Sequence, residues 1–207
     1  MKDFIKKQID QSYQTKKLLV EDGNYHQLIC EVCEKAIETY QNGKKILLAG
    51  NGGSAADAQH LAGELVSRFY FDRPGLPALA LTTDTSILTA IGNDYGYESI
   101  FSRQIEANGY QGDLFIGLST SGNSLNVIKA MEACKDKGII TVGLTGITGG
   151  KLAGYCDYCI KVPSAETPRI QETHILIGHI ICAAIEDALF GKNVLSDETK
   201  VKKNRED

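Results

Sequence analysis

Net positive charge is what this chain most obviously lacks: its 22 Lys and Arg residues are outnumbered by 26 Asp and Glu, for a formal net charge of -4 and a pI near 5.6. No broad positive field is offered to a phosphate backbone, which makes nucleic acid a poor first guess. The stretch Met1 to Val20 lacks the continuous apolar core of a signal peptide, so no export is expected and the cytoplasm is the expected location. Fixed-period repeats and low-complexity runs are absent. So is the Gly-Lys-Ser/Thr ending of a Walker loop, which disfavours a nucleoside triphosphatase. No Asn-Gly or Asp-Gly hairpin joins two apolar runs, which argues against an antiparallel sheet.

What is present is ordinary for a soluble globular chain. Hydrophobic residues make up 43% and charged residues 23% of the 207 positions, which excludes general disorder and a fibrous or coiled-coil protein. The length suits one generous α/β domain, here 1–191, followed by a charged tail, 192–207, in which acids interrupt the bases. The most apolar stretch, His174 to Phe190, is short for a bilayer, carries two histidines and runs into Glu186 and Asp187, so a buried helix is expected. Cys30-x-x-Cys33 and Cys156-x-x-Cys159 have the pair spacing of zinc and redox sites. The first pair falls in a helical pattern and the second flanks a strand, which predicts reduced, structural thiols.

Two helical patterns open the chain, about Asp3 to Glu21 and Tyr25 to Gln41. In the second, Leu28, Ile29, Val32, Ala36 and Ile37 share a face, and Asn42-Gly43 stops it. Five short apolar runs follow: Lys45 to Ala49, Ala78 to Thr82, Asp113 to Leu118, Ile139 to Leu144 and Tyr158 to Val162. Their spacing predicts a doubly wound five-stranded parallel sheet flanked by helices, with ligands beyond the carboxyl ends of the strands. Residues 168–190 read as one long apolar helix that a small monomer could hardly bury on every side, which points to a subunit interface.

Two loops suit an anion. After the first strand comes Gly50-Asn51-Gly52-Gly53-Ser54-Ala55, where glycines allow a tight turn, Ser54 can cap the next helix and exposed amides face outward. The dinucleotide fingerprint needs an acid about 20 residues on. Position 70 is Tyr70, and the next strand ends only near Asp84, so a nucleotide cofactor is not expected. After the third strand, Ser119-Thr120-Ser121-Gly122-Asn123-Ser124 crowds four hydroxyls before the helix Leu125 to Lys137, a set able to satisfy phosphate oxygens without lysine. A hydroxyl cap with surplus hydroxyls is the alternative.

Proton chemistry has few candidates. His60 and Glu64 are four apart and share a helix face. In the late helix Gln171 and His179, eight apart, can border one cleft, whereas His174 points elsewhere. An imidazole and a desolvated glutamate can shuttle protons near neutral pH. Two histidines, a carboxylate and an amide oxygen can equally ligate zinc, although the spacing is no standard zinc motif.

With these residues assembled, the chain from about residue 3 to 190 resembles the phosphoheptose isomerases of the sugar isomerase, or SIS, domain family. The marks are Gly50-Asn51-Gly52-Gly53-Ser54, His60-x-x-x-Glu64, Asn93-Asp94, Ser119-Thr120-Ser121-Gly122-Asn123-Ser124 and Arg169-Ile170-Gln171-Glu172 with His179. The serine loop and R-I-Q-E belong to the wider group, while His60, Glu64 and His179 separate the enzymes from non-catalytic sugar phosphate-binding regulators, the alternative reading. The resemblance implies an aldose-ketose isomerase acting on sedoheptulose 7-phosphate, with Glu64 and His179 catalytic. It implies that Asn51, Gly52, Gly53, Glu64, Asn93, Asp94, Ser119, Thr120, Ser121, Ser124 and Gln171 bind the phosphorylated seven-carbon sugar. It further implies a homotetramer with sites between subunits, one divalent metal, zinc by preference, at His60, Glu64, Gln171 and His179, and a place in heptose supply for surface glycans. Thr167-Pro168 departs from the Ala-Asp that some members carry before R-I-Q-E, so no role follows for such an aspartate.

Overall fold

The computed structural model describes residues 1–191; the expected charged tail, 192–207, lies outside the described residues. Five strands, β1 (Ile46–Gly50), β2 (Ala78–Ala80), β3 (Leu114–Ser119), β4 (Ile140–Thr145) and β5 (Tyr158–Lys161), form one parallel sheet in the order β2-β1-β3-β4-β5. Around it lie α1 (Lys2–Glu21), α2 (Gly23–Gln41), α3 (Gly53–Val66), α4 (Thr85–Tyr95), α5 (Ser102–Asn108), α6 (Leu125–Asp136) and α7 (Thr167–Phe190). All five expected strands are found. β2 is shorter than Ala78 to Thr82 because the Thr83 hydroxyl turns back to the Ala80 carbonyl and Asp84 accepts from Ile87 N as the N-cap of α4. Asp84, the residue nearest the place of a ribose-binding acid, is therefore a helix cap.

The strands read as unbroken apolar runs because helices cover both faces of the sheet. Period-2 alternation then divides the core. Ile46, Leu48, Leu114, Ile116 and Leu118 pack with α2, α3 and α7, whereas Leu47, Ala49 and Phe115 pack with Phe101, Ile105 and Met131 on the other side. The predicted α2 face holds: Ile29, Val32 and Ala36 are buried and Leu28 and Ile37 pack beside them.

α7 begins with Pro168 in its first turn and ends at Gly191 in the left-handed region, φ 63°, the usual asymmetry of helix ends. It is the one described helix long and apolar enough to cross a membrane. It packs instead against α2, α3 and α1, burying Ile170, Ile177, Ile181 and Ile185, with Ile180 left 41% exposed. One face of α7 is thus covered within the chain, and the rest stays partly open. The larger uncovered apolar face is on α1, where Phe4, Ile5, Ile9 and Tyr13 stand exposed.

The cysteines are all free; Cys33, Cys134 and Cys182 are buried and Cys156 and Cys159 half-buried. Burial lifts the Cys33 and Cys182 thiols to about 11 and about 12, which keeps them protonated and inert. A buried ion pair joins α7 to the loop after α3: Glu186 Oε2 lies 2.8 Å from Arg73 Nε, with both side chains 1% exposed. Desolvation alone would raise the Glu186 carboxyl. The N–H groups of Phe69, Tyr70 and Phe71 and the Arg73 guanidinium outweigh it and hold the carboxyl below the ordinary glutamate range.

His174 points into the core, fully buried, with Nε2 3.1 Å from the Thr145 carbonyl. That contact requires Nε2 to donate, and desolvation, only partly opposed by this bond, lowers the imidazole to about 4. Below its free value near 6.5 the unfolded chain binds a proton that the folded chain refuses, so stability should fall as pH drops toward 4, by up to about 1.4 kcal/mol per pH unit. Urea unfolding between pH 7 and 4 checks this; a His174→Leu variant should lose that component of the slope.

Candidate functional site

The order β2-β1-β3-β4-β5 reverses direction between β1 and β3, the switch point where open α/β sheets take their ligands. Gly50 pairs with Leu118 at the last rung, so the glycine loop and the serine loop leave the sheet side by side. They are tied by a pair of amides: Asn51 Nδ2 donates to Asn126 Oδ1 at 2.9 Å, and Asn126 Nδ2 donates to Asn51 Oδ1 at 2.8 Å. The Tyr97 hydroxyl also donates to Asn51 Oδ1, at 2.9 Å. Asn51 is therefore a braced side chain, with only part of its Nδ2 capacity left for a sugar hydroxyl.

The expected cap at Ser54 is not found. Gly52 is the N-cap of α3, without a side-chain capping bond, and Ser54 is buried within the first turn. Gly53 lies against the late helix: a Cβ there would come within 2.5 Å of Gln171 Nε2, so a side chain would displace that amide. The start of the second turn of α7 thus sets the Gln171 amide against the glycine loop.

In the serine loop, Ser119 Oγ donates to Ser124 Oγ at 2.9 Å, and Ser121 Oγ accepts from Asn123 N at 3.1 Å. Accepting leaves the Ser121 hydroxyl its hydrogen to donate. Ser124 is the N-cap residue of α6 but makes no side-chain capping bond, so the simple cap does not account for these hydroxyls. The loop rests on the turn at Gly149-Gly150, where Leu152 N donates to the Gly122 carbonyl at 2.8 Å.

The proton-transfer candidates meet inside one chain. His60 Nε2 and His179 Nε2 are 2.9 Å apart, and His60 Nε2 lies 3.5 Å from Glu64 Oε1. The expectation that the late imidazole reaches the early helix holds, and a second protomer is not needed for this trio. Packing explains the approach: a Cβ at Gly178 would lie 2.5 Å from Leu61, so the missing side chain lets α7 settle on α3 one residue before His179. Burial lowers the His179 pKa, the neighbouring His60 lowers it further, and Glu64 opposes both. The trio opens to solvent, with the His60 side chain 49% and the Glu64 side chain 24% exposed.

Among the described residues no group of three or more His, Cys, Asp or Glu side chains forms a metal cage on its own. The donor types nevertheless fit a divalent cation. Zn–N bonds of 2.0–2.1 Å at tetrahedral angles separate donors by roughly 3.3 Å, and the spacings of 2.9 and 3.5 Å bracket that value. Asn93 and Asp94, at the end of α4, are exposed and bonded to each other, Nδ2 to Oδ1 at 2.8 Å.

The SIS domain family model matches residues 19–146. A phosphoheptose isomerase from Aneurinibacillus thermoaerophilus is 70% identical over 196 residues, 95% of this chain and 99% of that protein. Solved phosphoheptose isomerases from Neisseria gonorrhoeae and Francisella tularensis superpose with TM-scores of 0.84 and 0.86 at 41% and 36% identity. They cover 90% and 89% of this chain and 98% and 97% of theirs. The chain belongs to the phosphoheptose isomerase family.

Three residues at the site of this isomerase-family chain escaped the sequence reading. Asp57, one helical turn before His60, has its Oδ2 buried without a hydrogen-bond partner among the described residues. Desolvation raises its carboxyl, and His60 opposes the shift. Its signal was the spacing Asp57, His60, Glu64 along one face of α3. Asn126 and Tyr97 brace Asn51 from two other elements and had no local signal.

Gly122 has φ +65°, and a Cβ there would sit 2.0 Å from the Gly149 carbonyl oxygen, which is backbone and cannot swing away. Gly122→Ala is expected to destabilise by about 1–3 kcal/mol and to raise KM for a phosphorylated sugar. Gly154→Ala, where nothing lies within 4 Å, should change neither. Denaturant melts and steady-state kinetics on both variants check this.

Proposed function

We propose that this chain interconverts sedoheptulose 7-phosphate and D-glycero-D-manno-heptose 7-phosphate through an enediol. The observation that carries the reading is the junction of His60, Glu64 and His179 between α3 and α7, together with membership of a family whose members bear that activity in their names. Moving the carbonyl from carbon 2 to carbon 1 takes a proton off carbon 1, returns one to carbon 2 and exchanges protons on both oxygens. Glu64 carries the carbon proton. His179, whose pKa burial and His60 lower, receives the proton of O1 and supplies one to O2. Each such step contributes on the order of 10²- to 10⁴-fold.

Asn51, Gly52, Gly53, Asn93, Asp94 and Gln171 hold the sugar hydroxyls in this reading. Ser119, Thr120, Ser121 and Ser124 anchor the phosphate, so that binding energy far from the reacting carbons positions them. His60, Glu64, Gln171 and His179 would hold one divalent cation, zinc by preference; when bound it supplies polarisation of the substrate carbonyl. Glu64 serves as base only while its carboxylate is not fully committed to that ion.

The exposed α1 face, with Phe4, Ile5, Ile9 and Tyr13, is the kind of apolar patch that subunits cover, and it supports a homo-oligomer, taken here as a tetramer. Cytoplasmic heptose supply for surface glycans is the setting that fits a phosphorylated substrate.

Glu64→Gln should keep the fold, seen as an unchanged melting temperature, and lose interconversion by at least about 10²-fold in an aldose-detection assay; full turnover would remove Glu64 as the base. Ser121→Ala should lose about 10- to 100-fold in kcat/KM on the phosphorylated sugar, the worth of one hydrogen bond to a charged group. Its rate on the dephosphorylated sugar should not change, and an equal loss on both would contradict anchoring.

A further inference from the structure

The pair that joins α7 to the loop after α3 is wired more fully than a structural tie requires. Glu186 spends both oxygens: Oε1 accepts from Tyr70 N at 2.6 Å and Phe71 N at 3.2 Å, and Oε2 accepts from Phe69 N at 2.9 Å and Arg73 Nε at 2.8 Å. Arg73 turns its remaining donors to the end of α3. Nη2 donates to the Glu64 carbonyl at 2.9 Å, and Nη1 donates to the Leu65 carbonyl at 2.7 Å and the Pro74 carbonyl at 3.0 Å. Glu64 and Leu65 stand in the last turn of α3, where carbonyls run out of intrahelical partners and a cation is favoured.

Two consequences reach the reacting groups. The main chain that carries the Glu64 carboxylate is held by the guanidinium through its own carbonyl. The loop gripped by Glu186 places the Phe69 ring beside His179, with centroids 5.5 Å apart and planes at 38°. One buried ion pair therefore bears on both proton carriers. We propose that Arg73 and Glu186 are positioning residues for the isomerisation, setting Glu64 through its backbone and His179 through Phe69. This rests on the reading that Glu64 and His179 move protons.

Lysine at position 73 keeps the charge but cannot supply the planar fork that reaches Glu186 and the α3 carbonyls together. In Arg73→Lys, kcat for sedoheptulose 7-phosphate should fall by about 10- to 100-fold, the scale set by displacements near 1 Å. KM should stay within about threefold, because the serine loop belongs to β3 and α6. The chain has 4 histidines, so a protein labelled with ¹⁵N-histidine gives few imidazole signals. Those of His60 and His179 should move in the variant, while those of His26 and buried His174 stay.

A folded Arg73→Lys protein with kcat within about twofold of the parent, or with the His60 and His179 signals in place, overturns the proposal; an effect on stability alone would leave those signals of the folded protein unmoved. Should Arg73→Lys not fold, Phe69→Leu, which leaves the ion pair intact, carries the same two readouts at His179. Glu64→Gln turnover tests the catalytic reading separately, since the histidine signals report the clamp whatever the activity.

Discussion

The site depends on how closely α7 lies on α3. Residues 119 positions apart in the chain touch through their Nε2 atoms, and they do so because Gly178 presents no side chain to Leu61. A methyl group at that point would lie 2.5 Å from the Leu61 side chain, so that side chain or the helices would have to shift. Close-packed interiors transmit such displacements rather than absorb them. The spacing of the candidate proton carriers is thus set by helix packing, and the buried Arg73–Glu186 pair ties α7 to the loop that follows α3.

The two ends of the site are built on different principles. At the end proposed to react, titratable groups face one another in a corner open to solvent, where burial and a second imidazole lower the His179 pKa. At the end proposed to hold the phosphate, hydroxyls and backbone amides are held by loop geometry. Ser119 bonds to Ser124 and Asn123 to Ser121, and the Asn51–Asn126 pair fastens this loop to the glycine loop. Such preorganisation keeps the cost of ordering low when a ligand arrives.

Much of the fold was legible before any coordinates. The five apolar runs, the glycine that ends α2 and the amphipathic face of α2 are local features, and each was found within a residue or two of its expected place, except for the shortened β2. The glycine and serine loops were legible for the same reason, since conformational freedom and hydroxyl crowding are written in neighbouring residues. Ser54 misled because its residue type suits a cap while the backbone had already begun the helix at Gly53. Asp57 was in reach of the same spacing argument that singled out His60 and Glu64. Arg73, Glu186, Asn126 and Tyr97 were not, because each acts through a partner 8 to 117 residues away.

The amino-acid order by itself determined the class of fold, the placing of two anion-suited loops after β1 and β3, and the set of side chains able to move a proton. Those follow from periodicity, turn chemistry and residue type, which act over a few positions. Only the tertiary structure decided that His60, Glu64 and His179 share one corner within a single chain, that Asn51 is braced rather than loose, and that a buried carboxylate holds the loop behind them. Those depend on which helices lie together and how near, a question of packing volumes and buried charge that no short window of sequence contains.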